Sequence, residues 1–235
     1  AYFPPAEFTN QQVSFNTELR GNLQRLYLPY IQLSGLSGSK ISARGTLYNL
    51  SDPKKFSYDL VILNAKIKKS DLLKFVPAQN QVAFKDLPAV FDFSGHLVGD
   101  KKNIVADVNA RGGGIAFQGR IGLKNISDPA HLQFDLAIKS GTVGKSFIMG
   151  FIPPGSLPPN LNLPERITAS GLIKGDKNNL VTNVKLITSY GAATVKGFIR
   201  NMQNPKNAVY DLYITTTAFD IGKLITDTSI GTATL

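Results

Sequence analysis

The chain has 235 residues, 43% hydrophobic and 18% charged, so it is too apolar for a disordered segment and long enough to bury a core. It has no Cys and only 2 His, which excludes a disulfide framework and thiolate metal sites and leaves little for any metal centre. With 26 Lys and Arg against 16 Asp and Glu the net charge is +10, which suits an acidic partner without choosing between nucleic acid and an anionic lipid surface.

An internal period sets the order of the predicted elements. "NLSDPKKFSYDLVI", "NISDPAHLQFDLAI" and "NMQNPKNAVYDLYI" begin at Asn49, Asn125 and Asn201, 76 residues apart. "GHLVGDKKN" and "GLIKGDKNN", Pro77 and Pro153, and Pro88 and Pro164 keep the same spacing. We read one continuous array of three copies: residues 1–88, the first and diverged; 89–164; and 165–235, truncated.

Taken along the chain, each copy is expected to hold four strands and a short helix. In the first, the N-x2-[DN]-P turn leads into a strand that places Phe56, Tyr58, Leu60 and Ile62 on one face. A helix over 70–76 follows, with Ser70 or Asp71 as N-cap and Pro77 as its stop. The second copy opens with strands from Phe91 to Gly99 and from Ile104 to Ala110, joined by the polar turn "GDKKN". "RGGGIAFQG" after them lacks the GK[ST] ending of a phosphate loop and reads as a bulge or sharp bend. Ile115, Phe117, Gly119, Ile121 and Leu123 then alternate with Ala116, Gln118, Arg120, Gly122 and Lys124. Across the "NISDP" turn, Leu132, Phe134, Leu136 and Ile138 alternate with Gln133, Asp135, Ala137 and Lys139, giving an antiparallel hairpin. A helix over 144–151 stops at Pro153, and the Pro-rich connector leads into the third copy. There Val195 and Ile199, then Tyr210, Leu212 and Ile214, repeat the apolar face before a helix over 220–226 capped by Asp220.

Candidate chemistry is sparse. Asp59, Asp135 and Asp211 recur at one position in three copies, which marks a structural role in each copy rather than a unique reaction. His96 and His131 follow no HExxH or triad spacing, and no GxSxG elbow is present. The chain is therefore expected to be no enzyme, with no catalytic, cofactor-binding or metal site. Basic residues spread over the polar faces argue against a nucleic-acid groove, since the aromatics that could stack on bases lie on the apolar faces instead.

The apolar faces are the informative feature, because four strands and one short helix per copy offer little material to cover them. The expected fold is mainly β: an antiparallel, twisted sheet array, taco-like or grooved, with a trough suited to acyl chains. Its lining would be Phe56, Tyr58, Leu60, Ile62, Phe117, Ile121, Leu132, Phe134, Leu136, Ile138, Val195, Ile199, Tyr210, Leu212 and Ile214. No stretch approaches the roughly 18 apolar residues of a membrane-spanning helix. The chain reads as a soluble, processed or excised piece whose membrane anchor, if any, lies outside it.

"TSYGAATVKGFI", the "NP" turn, "YDLYI" and "FDIGKLI" together resemble the repeats of the TamB family of the AsmA-like superfamily. So do "FNTELRGNLQRLYLPYIQLSGLSGSKISARGTL", "KSDLLKFVP" and "LPERITASGLIKG". The resemblance lies in repeat style over almost the whole chain. Ile121 departs from it, standing where the other copies have Gly45 and Gly197, which implies a shifted bend in copy two. The resemblance implies a periplasmic protein anchored at the inner membrane, carrying phospholipid along a hydrophobic β-groove or scaffolding outer-membrane protein assembly with a TamA-type barrel. A repeat-built carbohydrate-binding or adhesive surface protein is a further alternative. The resemblance implies no cofactor.

Overall fold

The computed structural model describes residues 13–35, 37–74, 87–151, 158–227 and 229–234. The strands are β1 Val13–Thr17, β2 Arg20–Gly21, β3 Arg25–Gly35, β4 Ser39–Tyr48, β5 Ser57–Lys68, β6 Val90–Asp100, β7 Asn103–Gly112, β8 Ile115–Lys124, β9 Gln133–Gly144, β10 Arg166–Asp176, β11 Leu180–Thr188, β12 Gly191–Arg200, β13 Val209–Thr217, β14 Phe219–Asp220 and β15 Thr232–Ala233. Three helices, α1 Lys69–Leu73, α2 Lys145–Phe151 and α3 Ile221–Ile225, follow β5, β9 and β14. Thirteen strands form one open antiparallel sheet, and β14 and β15 pair separately. Two compact units divide within β7: residues 1–101 with 108–113, and residues 102–107 with 114–235.

The sequence period is a structural period. β4, β8 and β12 start 76 residues apart, as do β5, β9 and β13, and as do the three helices. Asn49, Asn125 and Asn201 open the same turn with φ of 53°, 60° and 56°, a left-handed conformation that Asn tolerates better than most residues. Each Asn Nδ2 donates to the carbonyl six residues on, at Lys55, His131 and Asn207, over 3.2, 3.0 and 3.2 Å. The turn thus closes on itself and delivers the fourth strand in the same register each time. "RGGG" is a sharp bend as expected: Gly113 and Gly114, both at positive φ, form the two-residue loop between β7 and β8.

The helices are shorter than the sequence implies, and α1 starts differently. Its N-cap position is Lys68, with no side-chain cap, so neither Ser70 nor Asp71 caps it. Asp71 turns inward instead: its Oδ1 accepts from Ser37 N (2.9 Å), and its Oδ2 from Ser39 N (3.2 Å) and Ser39 Oγ (2.6 Å). Asp220 does cap α3, accepting from Lys223 N at 2.9 Å, which holds its carboxyl below the usual range. Pro77 and Pro153 lie outside the described residues.

Asn162 ties α2 to α3 within the second unit. Its Oδ1 accepts from Lys145 Nζ (3.0 Å), its Nδ2 donates to Tyr190 Oη (2.8 Å), and its backbone N donates to Leu224 O (2.7 Å).

Candidate functional site

The register in the second unit assembles the apolar face from three lateral rows. One runs Leu123, Phe134, Gly175, Leu180, Ile199, Tyr210; the next Ile121, Leu136, Ile173, Thr182, Gly197, Leu212; the third Gly119, Ile138, Gly171, Val184, Val195, Ile214. Six strands at the usual spacing make this face about 24 Å wide. Phe117 continues the β8 line, and Leu132, just before β9, has the parity of Phe134.

In the first unit the equivalent rows are Leu47, Tyr58, Gly99; Gly45, Leu60, Leu97; and Ala43, Ile62, Gly95. Phe56 precedes β5, its ring 6.3 Å from that of Tyr58. Burial pushes the Tyr58 hydroxyl pKa upward, and the negative charge of Asp100 adds to this. Every residue expected to line the trough thus has the parity of the apolar face of its own unit.

Among the described residues, the side chains of this face are poorly covered. Of the row residues only Ala43 in the first unit and Val184 in the second are buried; most are half-exposed, and Tyr210 and Ile214 are 63% and 53% exposed. Among the described residues the buried apolar set is Leu28, Ala43, Ala65, Ala106, Val108 and Val184, half of it alanine. A sandwich core would bury its Phe, Ile and Leu instead.

Sequence reasoning missed part of this lining: Ile167, Ile173, Leu180, Val184 and Leu186. In β10 and β11 the binary pattern is blurred, because Leu172, Val181 and Ile187 point to the other face while Thr182 points to this one. Only cross-strand register sorts them.

The copy-two departure has its expected consequence. At Gly45 and Gly197 an added β-carbon would land on the carbonyl oxygens of Asp59 and Asp211. In copy two that close approach moves to Gly119, against the Ala137 carbonyl, and position 121 has room for isoleucine.

The opposite face is mixed: Arg120, Asp135, Lys174 and Lys185 share it with the exposed Leu172, Val181 and Ile187. It carries a hollow of about 750 Å³ in the second unit, lined among others by Val105, Arg120, Asp135, Ala137, Lys174 and Val181. The recurring aspartates differ in partners. Asp59 Oδ1 accepts from His96 Nε2 at 2.7 Å, Asp135 stands between Gly122 and Lys174, and Asp211 faces Phe198. The histidines, expected to stand alone, each pair with an aspartate: His131 Nδ1 meets Asp128 Oδ2 at 2.6 Å, and that bond is the main cause lowering the Asp128 pKa. Both pairs are solvent-exposed. Among the described residues no cluster of three metal-ligating side chains occurs and no helix is long and apolar enough to cross a membrane. Comparison with protein-family models, curated proteins and solved structures finds no match.

Proposed function

We propose that the chain binds or conducts phospholipid acyl chains along its poorly covered apolar face. The observation that carries this reading is the set of three apolar rows across β8 to β13 with only Val184 buried. A largely apolar lining of Ile, Leu, Val and Phe offers an acyl chain dispersion contact along its length and makes little polar demand on it. The net charge of +10 favours anionic surroundings. With the TamB-like repeat style, this reads as a segment of a periplasmic protein that bridges the inner and outer membranes, with a TamA-type barrel as partner. No catalytic step is part of the reading.

The test places a charge on the face. Leu136→Asp and Leu212→Asp should leave the chain folded, because water reaches a half-exposed position and can solvate the carboxylate. The same changes should lower phospholipid photo-crosslinking from a probe at Phe134 by fivefold or more. Asp135→Asn, on the opposite face, should leave crosslinking unchanged. A wild-type chain that never crosslinks lipid, with inward variants that unfold, would mean that the face is a structural core.

A further inference from the structure

The charges of the second unit are shared unequally between the two ends of its strands. At one end lie the turns from β8 to β9, from β10 to β11 and from β12 to β13. Counted from the last residue of each arriving strand to the first of each departing one, with Lys102 just ahead of β7, this turn end carries Lys102, Lys124, Lys177, Arg200 and Lys206 against Asp128 and Asp176. Both carboxylates are engaged within their own turns: Asp128 accepts from Ala130 N at 3.1 Å, and Asp176 from Asn178 N and Asn179 N at 2.7 and 2.8 Å. At the helix end the described charges balance, Lys145, Arg166 and Lys223 against Glu165, Asp220 and Asp227. Two pairs there are in contact, Lys145 with Glu165 and Lys223 with Asp220.

A polar hollow of about 430 Å³ lies at the turn end, between the β10–β11 turn and the β12–β13 turn. Lys177, Asn178, Asn201, Gln203, Asn204 and Asn207 line it, one cation and no carboxylate. The repeat marks the place as altered. Copies one and two put Asp52 and Asp128 at the position of Asn204, and each accepts a backbone N–H of its turn, from Lys54 and Ala130. Asn204 makes no such side-chain bond. The change removes a negative charge from the hollow and leaves an amide, which both donates and accepts. The hollow borders the first of the three apolar rows: Leu180 is three residues on from Lys177 and Ile199 two before Asn201, at most about 10 Å of extended chain.

We propose that the turn end of the second unit seats the headgroup of an anionic phospholipid, of the hydroxyl-bearing kind that phosphatidylglycerol represents. This rests on the acyl-chain reading of the apolar face and adds which lipid the face takes and which way it lies, acyl chains on the rows and headgroup at the turns. Lys177 in the hollow and Lys206, between Asn204 and Asn207 in the chain, meet the phosphate, and the amides exchange hydrogen bonds with the headgroup hydroxyls. Lys124 and Arg200 have the parity of the opposite face and add to the positive potential at this end. A zwitterionic headgroup gains less, because its ammonium brings a further positive charge into the same field.

The full chain with a photo-crosslinking probe at Phe134 tests this in vesicles that mix phosphatidylglycerol and phosphatidylcholine equally, with the same acyl chains. Phosphatidylglycerol should exceed phosphatidylcholine among the crosslinked lipids by about fivefold. Raising the salt should bring the ratio towards parity, an arm that needs no further variant. Lys177→Glu with Lys206→Glu should bring it to parity while the total crosslinked lipid holds. Lys185→Glu with Lys196→Glu, on strands of the opposite face, changes the net charge by the same amount and should leave the ratio as it was. Equal crosslinking of the two lipids by the wild type would overturn the headgroup assignment and leave the acyl-chain reading standing, whereas no crosslinking of either lipid would remove both. A preference that ignores salt, survives the Lys177 and Lys206 changes, or is lost as fully in the Lys185 and Lys196 variant would also overturn the assignment to the turn end.

Discussion

Asp71 is 2% exposed and is the most deeply buried charged side chain described. Its burial raises the cost of ionisation, yet hydrogen bonds from Ser39 and Ser37 outweigh it and leave the carboxyl below its ordinary pKa. A carboxylate held low in the folded state contributes stability above its unfolded pKa and loses that contribution as pH falls through the folded value. Asp71→Ala strips three donors of their acceptor and should cost the first unit about 1–3 kcal/mol at neutral pH. The difference between wild type and variant should shrink below about pH 4, which thermal unfolding across a pH series would show. A constant gap would mean that the carboxylate charge is not what matters. Local pattern made Asp71 look like a cap, because Asp beside a helix start is a frequent cap. Its real partners lie more than thirty residues earlier, and no local rule reaches them. The sequence did hold one sign: copies two and three place Phe147 and Lys223 there, so Asp71 breaks the repeat.

Elements were the most legible scale. Alternation over Ile115 to Lys124 and Gln133 to Lys139 predicts β8 and β9 and their faces, since a period of two survives wherever one face is apolar and the other wet. The bulges were not legible. Leu63 and Lys139 lie at equivalent shifts in register, where the strand takes an extra residue and its parity changes. The glycine approaches were half visible, as a missing glycine at 121, but their partner carbonyls required register. Gly197 has φ of +141° and no space for a β-carbon. Gly197→Val should therefore loosen β12 and β13 and raise their amide hydrogen exchange at least tenfold. Exchange in β3 to β5 should stay unchanged, because stability in a repeat array is local to a copy and its neighbours. Uniform loosening of all strands would count against that locality.

At the scale of the whole molecule, an open apolar face is a standing interaction surface even before any lipid is present. The folded chain should enhance the fluorescence of an environment-sensitive naphthalene sulfonate dye several-fold at neutral pH, and loading with phospholipid vesicles should displace the dye. A native chain as silent as an ordinary globular protein of its size would argue that the face is covered in solution. Dye binding that persists at full loading would place the lipid elsewhere. The period itself was readable by subtraction alone, and every fourth strand and helix conforms to it. The openness of the face was inferred from a shortage of covering material, and the half-exposed Phe134, Leu136 and Ile138 agree with that inference.

The turn that Asn49, Asn125 and Asn201 share has a consequence in inheritance. Each copy begins its fourth strand from a self-contained turn, and the first two hand that strand's far edge to the next copy in one register, so the two junctions are interchangeable. Unequal crossing-over between two such junctions would insert or delete a whole copy without creating a new local contact. Each such event would change the sheet by four strands, about 19 Å at the usual spacing. A lineage carrying this design could lengthen or shorten its sheet by recombination, with no substitution at any lining residue.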